Sequence, residues 1–440
     1  MSTICAISTP AGTGGIAVIR ISGSDAISIT DSLFIGKRRL TDSHTHSVHY
    51  GTFAELDDVL ATVFRAPNSF TGEDVVEISC HGSRYIQQEI LNLLTRAGCR
   101  LAAPGEFTQR AFLNGKMDLT EAEAVADLIA AENRAAHKLA LSHLRGGISN
   151  SLRSLRDRLL HFTSLIELEL DFADHEELEF ADRGELKSLA DEIEGHISRL
   201  LSTFRMGNAI RNGIPVAITG PTNAGKSTLL NALAGEERAI VTDTHGTTRD
   251  TIEDIVNIGG VQFRFIDTAG IRQTDNEIEA LGIKRSKEAA RKAEIILLVT
   301  EAGKSADAYN LLEDIDLKDK TVIRVFNKTD LLSEIPQHTE DEVYISAKKG
   351  DIEELTELLK RKIPEEGGEG AMISNTRHAD ALRRALSAIQ QVQKGLTEGI
   401  SGEFLSMDLQ DCLTALAEIT GEITSEEVLG NIFSHFCIGK

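Results

Sequence analysis

The sequence predicts a multidomain protein that joins α/β modules to an all-α domain, and three observations support this prediction. The chain has 440 residues, too many for one ordinary hydrophobic core, which suggests about three domains of ~150 residues each. Strand-like and helix-like patterns alternate in residues 1–118 and again in residues 213–372. Residues 119–212 show only helical patterns, and helices return in residues 373–440.

Composition and charge favour a soluble, cytoplasmic protein. The segment "MSTICAISTP" has neither a basic region nor a long apolar stretch, and no run reaches the ~18 apolar residues of a membrane span, so we expect neither export nor membrane insertion. Five cysteines without a C-x-x-C pair disfavour a disulfide framework and a thiolate zinc site. A net charge of -22 disfavours non-specific attraction to nucleic acid, so an RNA partner would have to meet a local basic patch or a second subunit.

The first α/β module is predicted in residues 1–118. The runs "IAVIRIS" and "DVVEISC" are strand-like, and "YIQQEILNLLTRAG" has the spacing of an amphipathic helix. Gly- and Pro-containing turns separate these runs, which indicates one compact module.

The helical segments, residues 119–212 and 373–440, flank the second α/β region. The first segment carries an apolar stripe with heptad-like spacing at Leu152, Leu155, Leu159, Phe162 and Ile166. We favour one helical domain made from both segments with the α/β domain inserted, since insertion is tolerated where chain ends lie close together. Separate N- and C-terminal helical domains are the alternative.

Residues 213–372 predict a doubly wound, mostly parallel sheet, because short β-branched runs such as "PVAITG", "EIILLVT" and "TVIRVFNK" alternate with helices. Between the first strand and its helix, "GPTNAGKS" at residues 220–227 matches G-x-x-x-x-G-K-[ST]. Backbone N–H groups of such a loop cradle phosphates, Lys226 can reach the β and γ oxygens, and the Ser227 hydroxyl can hold Mg²⁺.

Further motifs follow in the order expected of a GTPase. In "GTTRD", Thr248 can supply a second hydroxyl ligand for Mg²⁺, and in "DTAG", Asp267 can engage Mg²⁺ through water while the Gly270 amide senses the γ-phosphate. In "NKTD", the Asp330 carboxylate can accept the paired N–H donors of guanine. Adenine presents a hydrogen-bond acceptor where guanine presents a donor, so adenine would leave polar groups of the pocket unpaired. The motif therefore predicts selection of guanine.

These motifs together predict a GTPase domain with the Ras-like order of elements. "SAK" completes the base pocket, and we expect the Ala347 amide to face the base. The predicted GTP-binding residues are Asn223, Ala224, Gly225, Lys226, Ser227, Thr228, Thr242, Thr247, Thr248, Asp267, Gly270, Asn327, Lys328, Asp330, Ser346, Ala347 and Lys348.

The water-orienting glutamine of Ras-type domains is missing, because Ile271 stands just after "DTAG". An apolar side chain cannot align water, so another group and another cation are needed. Asn223 could help to bind a monovalent cation, with oxygens from Thr242, Thr244 and Thr247; ordinary turn chemistry is the alternative for these threonines.

The chain closely resembles the MnmE (TrmE) family of tRNA-modification GTPases over essentially its whole length. The motifs that carry the resemblance include "GPTNAGKST", "DTHGTTRD", "DTAGIR", "NKTD", "PGEFTQRAFLNGKMDLTEAEAVADLI" and the terminal "FCIGK". The resemblance implies that the first module binds 5-formyl- or 5,10-methylene-tetrahydrofolate through Arg20, Glu77, Lys116 and the terminal Lys440. Nothing near Cys437 in the sequence supplies a base that would activate its thiol, so we expect Cys437 to be a dispensable or supporting part of the tail.

The same resemblance implies a potassium-activated, dimerising G domain. K⁺ would be held by Asn223, Thr242, Thr244 and Thr247, and Glu279 would position water indirectly, so that Glu279 and Lys226 are the expected catalytic residues. It also implies a homodimer that joins an FAD-binding MnmG subunit in a heterotetramer. The complex would modify carbon 5 of the wobble uridine of certain tRNAs, with GTP hydrolysis driving conformational change.

Two other functions are open. One is a potassium-dependent ribosome-assembly GTPase, and the other is a regulatory GTPase without modification chemistry. The "GISG" segment at residues 399–402 has KH-loop spacing, but the neighbouring Glu398 and Glu403 would repel RNA phosphate. The folate-like module and the lysine tail argue against the regulatory GTPase through resemblance.

Overall fold

A computed structural model describes residues 2–171, 181–236, 254–266, 279–303, 312–318, 320–332, 334–336, 339–363, 371–434, 436 and 439. The chain separates into two compact units. The first comprises Met1–Ala130, Ala140–Glu194 and Ala381–Lys440, and the second comprises Ala131–Leu139 and Gly195–Asp380. Across the described ranges, no helix is both long and apolar enough to cross a membrane.

The first unit contains a seven-stranded sheet in the order β3-β4-β5-β6-β2-β1-β7. Its neighbouring strands are antiparallel, except that β1 and β7 are parallel. The strands are β1 (Ile4–Ile7), β2 (Ile16–Ser22), β3 (Phe34–Gly36), β4 (Ser47–Phe53), β5 (Asp57–Phe64), β6 (Val75–His81) and β7 (Arg100–Leu101). The predicted strands "IAVIRIS" and "DVVEISC" correspond to β2 and β6.

Three helices accompany this sheet, α1 (Ala26–Leu33), α2 (Arg84–Arg96) and α3 (Glu106–Leu113). The main core joins alternate β2 residues such as Ile19 and Ile21 to α1 and α2. Because side chains alternate along a strand, Arg20 lies on the opposite face of the sheet. A smaller apolar cluster that includes Ala6 and Phe107 covers part of that face.

The remaining helical segments form long helices, as the sequence predicts. They are α4 (Leu119–Ala130), α5 (Arg134–Leu144), α6 (Gly147–Asp171), α7 (Arg183–Asn212), α11 (Thr376–Glu398), α12 (Gly402–Thr420) and α13 (Glu426–Ser434). Four residues of the predicted α6 stripe are buried, and Phe162 is only half-buried. Helices from both segments contact each other, since Gln410 Nε2 donates to Glu167 Oε1 at 2.6 Å.

The second unit contains a six-stranded sheet in the order β13-β12-β11-β8-β10-β9. It is parallel except for the antiparallel pair β9 and β10. The strands are β8 (Ile214–Thr219), β9 (Asp254–Ile258), β10 (Val261–Phe265), β11 (Ile295–Glu301), β12 (Thr321–Asn327) and β13 (Glu342–Ile345), and the helices are α8 (Lys226–Glu236), α9 (Glu279–Lys292) and α10 (Glu353–Arg361).

Separate apolar clusters lie on the two faces of this sheet. One joins Val216 and Leu297 to α8 and α10, and the other joins Ala217 and Ile296 to α9. Consecutive strand residues therefore enter opposite cores, as expected for a parallel sheet covered on both sides. The structure confirms an architecture of α/β modules combined with long helices.

Candidate functional site

The phosphate-loop motif lies where the sequence predicts, between β8 and α8. Gly225 has a φ of +93°, and a Cβ atom there would stand 2.2 Å from Asn327 Nδ2. Only glycine fits this close approach. The loop ends at α8, whose first N–H groups and positive dipole end favour an anion.

Lys226 reaches back over this loop. Its Nζ donates to the carbonyl oxygens of Gly220 at 2.8 Å and Pro221 at 2.9 Å. Burial lowers the pKa of Lys226. An anionic phosphate beside the ammonium would favour its charged form, so the lysine and a phosphate stabilise each other in such a loop.

Asn327, at the end of β12, joins three parts of the site. Its Nδ2 donates to the Ala224 carbonyl at 2.9 Å, and its Oδ1 accepts from the Lys328 amide at 2.8 Å and from the Ala347 amide at 3.1 Å. The side chain is 3% exposed. A single buried amide therefore ties the phosphate loop to the "NKTD" and "SAK" segments. The Ala347 amide, predicted to face the base, donates here to Asn327.

Asp330 lies at the open side of these segments. Its Oδ1 accepts a hydrogen bond from the Ser346 hydroxyl at 2.8 Å, and this bond lowers the pKa of Asp330, with help from Lys349 and Lys348. The exposed carboxylate is thus ionised and oriented, as an acceptor for paired N–H donors must be.

A second polar cluster lies in the first unit, on the sheet face opposite α1 and α2. Arg20 and Glu77 are direct cross-strand partners on β2 and β6, and Arg20 Nε and Nη2 each lie 2.8 Å from Glu77 Oε1. The guanidinium carbon lies 5.4 Å from the Phe70 ring centroid and 5.7 Å from that of Phe107. Both charged side chains remain partly exposed, at 21% for Arg20 and 27% for Glu77. A cation, an anion and two aromatic rings therefore meet at one accessible place.

Comparison with known proteins decides the family. The family model for the MnmE helical domain matches residues 119–437, and that for the N-terminus of the GTP-binding protein TrmE matches residues 3–116. The tRNA modification GTPase MnmE of Parabacteroides distasonis is 55% identical over 461 residues, covering 100% of each chain. The chain belongs to the MnmE (TrmE) family. Proteins of the same name from Bacteroides thetaiotaomicron and Flavobacterium johnsoniae are 50% and 49% identical, each covering 100% of this chain and 99% of its own length.

The resemblance to the MnmE family implies two further folate-site residues, Lys116 and Lys440, and the structure describes only the first of them. Lys116 is described, and its Nζ donates to the Pro67 carbonyl at 2.9 Å. The terminal Lys440 lies outside the described residues, as does Cys437. The adjacent Gly439 is buried, and its carbonyl accepts a hydrogen bond from Ser8 Oγ at 3.1 Å. Part of the tail therefore packs beside β1, the strand next to β2.

Several nucleotide-site predictions made for this member of the MnmE family lie outside the described residues. They are Thr242, Thr244, Thr247, Thr248, Asp267 and Gly270. Glu279 is the first residue of α9, but its side chain is also outside the described part. The water-positioning, potassium and second Mg²⁺ roles stay predictions. Within the described part, the structure places Asn223, Ala224, Gly225, Lys226, Ser227 and Thr228 in the phosphate loop and at the start of α8, Asn327, Lys328 and Asp330 at and after the end of β12, and Ser346, Ala347 and Lys348 after β13.

Sequence reasoning missed two features of these sites. Glu301, at the end of β11, accepts a hydrogen bond from Lys328 Nζ at 2.7 Å and so fixes the lysine of "NKTD". Phe70 lies beside Arg20 although 50 positions along the chain separate them. A carboxylate closing a parallel strand could have suggested Glu301, whereas no local signal identifies Phe70.

Proposed function

We propose that this protein binds and hydrolyses GTP and acts in the modification of tRNA. The observation that carries the proposal is the pairing of a lysine-bearing phosphate loop with an oriented Asp330, joined through the buried Asn327. Family membership supports the tRNA role, since relatives covering the full chain are named tRNA modification GTPases.

The guanine base would lie against Asp330, whose carboxylate accepts the two N–H groups on its Watson–Crick edge. Asn327 bonds both the phosphate loop and the segment that carries Asp330, so it fixes the distance between them. The base and the phosphates would therefore be recognised together. Lys226 would leave the carbonyl oxygens of its own loop and bind the β and γ phosphate oxygens. Its positive charge would then lie where negative charge develops during hydrolysis.

The Ser227 hydroxyl and the Asn223 side-chain oxygen belong to the phosphate-loop motif and are hard oxygen donors of the kind that Mg²⁺ and K⁺ prefer. Ser227 and Thr248 would hold Mg²⁺, and Asn223 with Thr242, Thr244 and Thr247 would hold K⁺. The cations supply positive charge that stabilises the phosphoryl oxygens. Glu279 would orient the attacking water through other groups.

The Arg20–Glu77 cluster would bind the one-carbon carrier, 5-formyl- or 5,10-methylene-tetrahydrofolate. A pterin presents a donor edge that suits Glu77, while Arg20, Lys116 and Lys440 would meet the formyl oxygen or the glutamate tail. We further propose a homodimer, an inserted G domain, and an FAD-binding MnmG partner in a heterotetramer that acts on the wobble uridine.

The test compares GTP and ATP turnover by the purified chain in K⁺ and in Na⁺, with Lys226→Ala as the inactive control. We expect GTP-selective turnover that K⁺ accelerates. Equal ATP turnover would contradict the nucleotide assignment, and equal rates in K⁺ and Na⁺ would contradict the potassium site. Mass spectrometry of wobble nucleosides from cells lacking the gene tests the tRNA role. An unchanged nucleoside profile would contradict that role and would favour a ribosome-assembly or regulatory GTPase.

A further inference from the structure

The loop that carries Phe70, residues 66–74, is held by a polar network that is buried except for Glu73, whose side chain is 17% exposed. The Ser22 hydroxyl, at the end of β2, donates to Glu73 Oε2 at 2.7 Å and lies 2.7 Å from the Thr71 hydroxyl. From α3, Arg110 Nη1 lies 3.1 and 3.2 Å from the two Glu73 oxygens. Ser22 and Thr71 are fully buried, and Arg110 is 3% exposed. We call Ser22, Thr71, Glu73 and Arg110 the clamp.

Two further contacts fasten the same loop outside the clamp. Asn114 Nδ2 donates to the Thr71 carbonyl at 2.7 Å, and Lys116 Nζ donates to the Pro67 carbonyl at 2.9 Å. The loop is therefore bonded to β2, to α3 and to the chain that follows α3. Such a loop has few conformations left to lose when a ligand binds beside it.

The charges of the clamp make it stiff. Arg110 also bonds Glu106 at 2.9 Å and the Ser2 carbonyl at 2.8 Å, so its guanidinium is held from three sides. A buried ion pair is costly to break, because removing one partner leaves a charge without compensation. Arg110 therefore holds the Glu73 carboxylate, and with it the end of the loop, in one position.

The position of Phe70 follows from this arrangement. Its ring packs with Ala6 and Phe107, and it stands 5.4 Å from the Arg20 guanidinium. Phe70 lies between Ser69, whose hydroxyl donates to the Glu73 carbonyl at 2.5 Å, and Thr71. Both neighbours of Phe70 are therefore bonded to the clamp or belong to it.

We propose that Ser22, Glu73 and Arg110 are positioning residues that hold the Phe70 ring beside Arg20 and thereby set the affinity of this place for a flat heteroaromatic ring such as a pterin. The ligand part of this inference rests on the proposed tetrahydrofolate site, whereas the positioning part does not. When the aromatic side chain is already fixed in place, a flat ring can stack on it without the entropy cost of ordering the loop on binding. The affinity is higher as a result.

The chain contains no tryptophan, so Phe70→Trp introduces a single indole at this wall, whose fluorescence can be excited selectively over that of the four tyrosines. Acrylamide quenching of its indole measures how well the ring is packed. The test variants are Glu73→Gln and Ser22→Ala, each made in the reporter background and in the native background. The matched control is Asp31→Asn, a buried carboxylate of the same unit that binds Arg39 at 2.8 Å and has no bond to residues 66–74 in the described structure.

Ligand binding is measured with 5-formyltetrahydrofolate in the native background. We expect the test variants to raise indole quenching and to weaken binding by about tenfold, as for the loss of one hydrogen bond to a charged group. GTP turnover should be unchanged, and Asp31→Asn should alter neither quenching nor binding. Thermal unfolding of each variant identifies any general loss of fold.

Unchanged quenching in both test variants would overturn the inference, and so would weaker binding without a change in quenching. Equal effects from Asp31→Asn would show general destabilisation and would also overturn it. Absence of 5-formyltetrahydrofolate binding by the unmodified chain would refute the proposed folate site, while the quenching comparison would still decide whether the clamp positions Phe70.

Discussion

Replacing Asn327 with alanine should uncouple base recognition from phosphate recognition. The change removes the hydrogen bonds to the Ala224 carbonyl and from the Lys328 and Ala347 amides. Each such bond contributes about 0.5–1.5 kcal/mol net, so the three together are worth about 3 kcal/mol. If that energy organises the site, the Kd for GTP should rise about a hundredfold. Isothermal titration with GTP measures this change directly.

The control for this experiment is Asn212→Ala, which removes an exposed amide of the same unit that donates to Asn208 at 2.7 Å. It should leave the Kd unchanged. Thermal unfolding separates a local loss of binding from global unfolding, and Asn327→Asp, which keeps an acceptor but loses the donor to Ala224, gives a second variant. A Kd for Asn327→Ala close to that of the unmodified, equally folded protein would refute the reasoning.

Three more predictions follow from single groups. Asp330→Asn replaces an acceptor for guanine N–H groups by an amide that can donate to the 2-oxo group of xanthine. Competition binding should therefore show that the variant prefers XTP over GTP. A retained preference for GTP would contradict the role of Asp330. Burial raises the pKa of Glu106, but hydrogen bonds from Arg100, the Ala103 amide and Arg110 leave it below its usual 4.5. Its stabilisation is therefore complete above pH 4.5 and is lost as the pH falls through the lower folded-state pKa. Urea unfolding of Glu106→Gln against the unmodified chain should show a large stability difference at pH 7 that shrinks in acid; a pH-independent difference would exclude this linkage. Burial raises the pKa of Cys80 to about 11 and that of Cys412 to about 12. Mass spectrometry should find both unalkylated by iodoacetamide at pH 8 until urea is added, and rapid native labelling would disprove their protection.

The parts of the fold that follow local rules were predictable from sequence. Strand β2 and the phosphate loop each carry their signal within a few residues, as alternation or as a fixed spacing of glycines and lysine. Strand β9, "DIVNI", was missed because it is short and lies at the sheet edge, where its pattern depends on pairing with β10.

The nucleotide site was more predictable than the environment of Arg20. Asn327 and Asp330 belong to one motif, so their proximity is given by the sequence itself. The clamp instead joins Ser22, Glu73 and Arg110, which are brought together by the sheet and by α3. In the sequence each looks like an ordinary polar residue, and only tertiary packing shows that they are buried and bonded.

The cross-strand pairing of Arg20 with Glu77 restricts how the two strands can vary. Inserting or deleting one residue within β2 or β6 would turn every following side chain to the other face of the sheet, sending a charge into the apolar core. Natural relatives should therefore differ in length between these strands and not inside them. Protein engineers who wish to graft this module elsewhere should likewise transplant both strands intact and restrict length changes to the connecting turns.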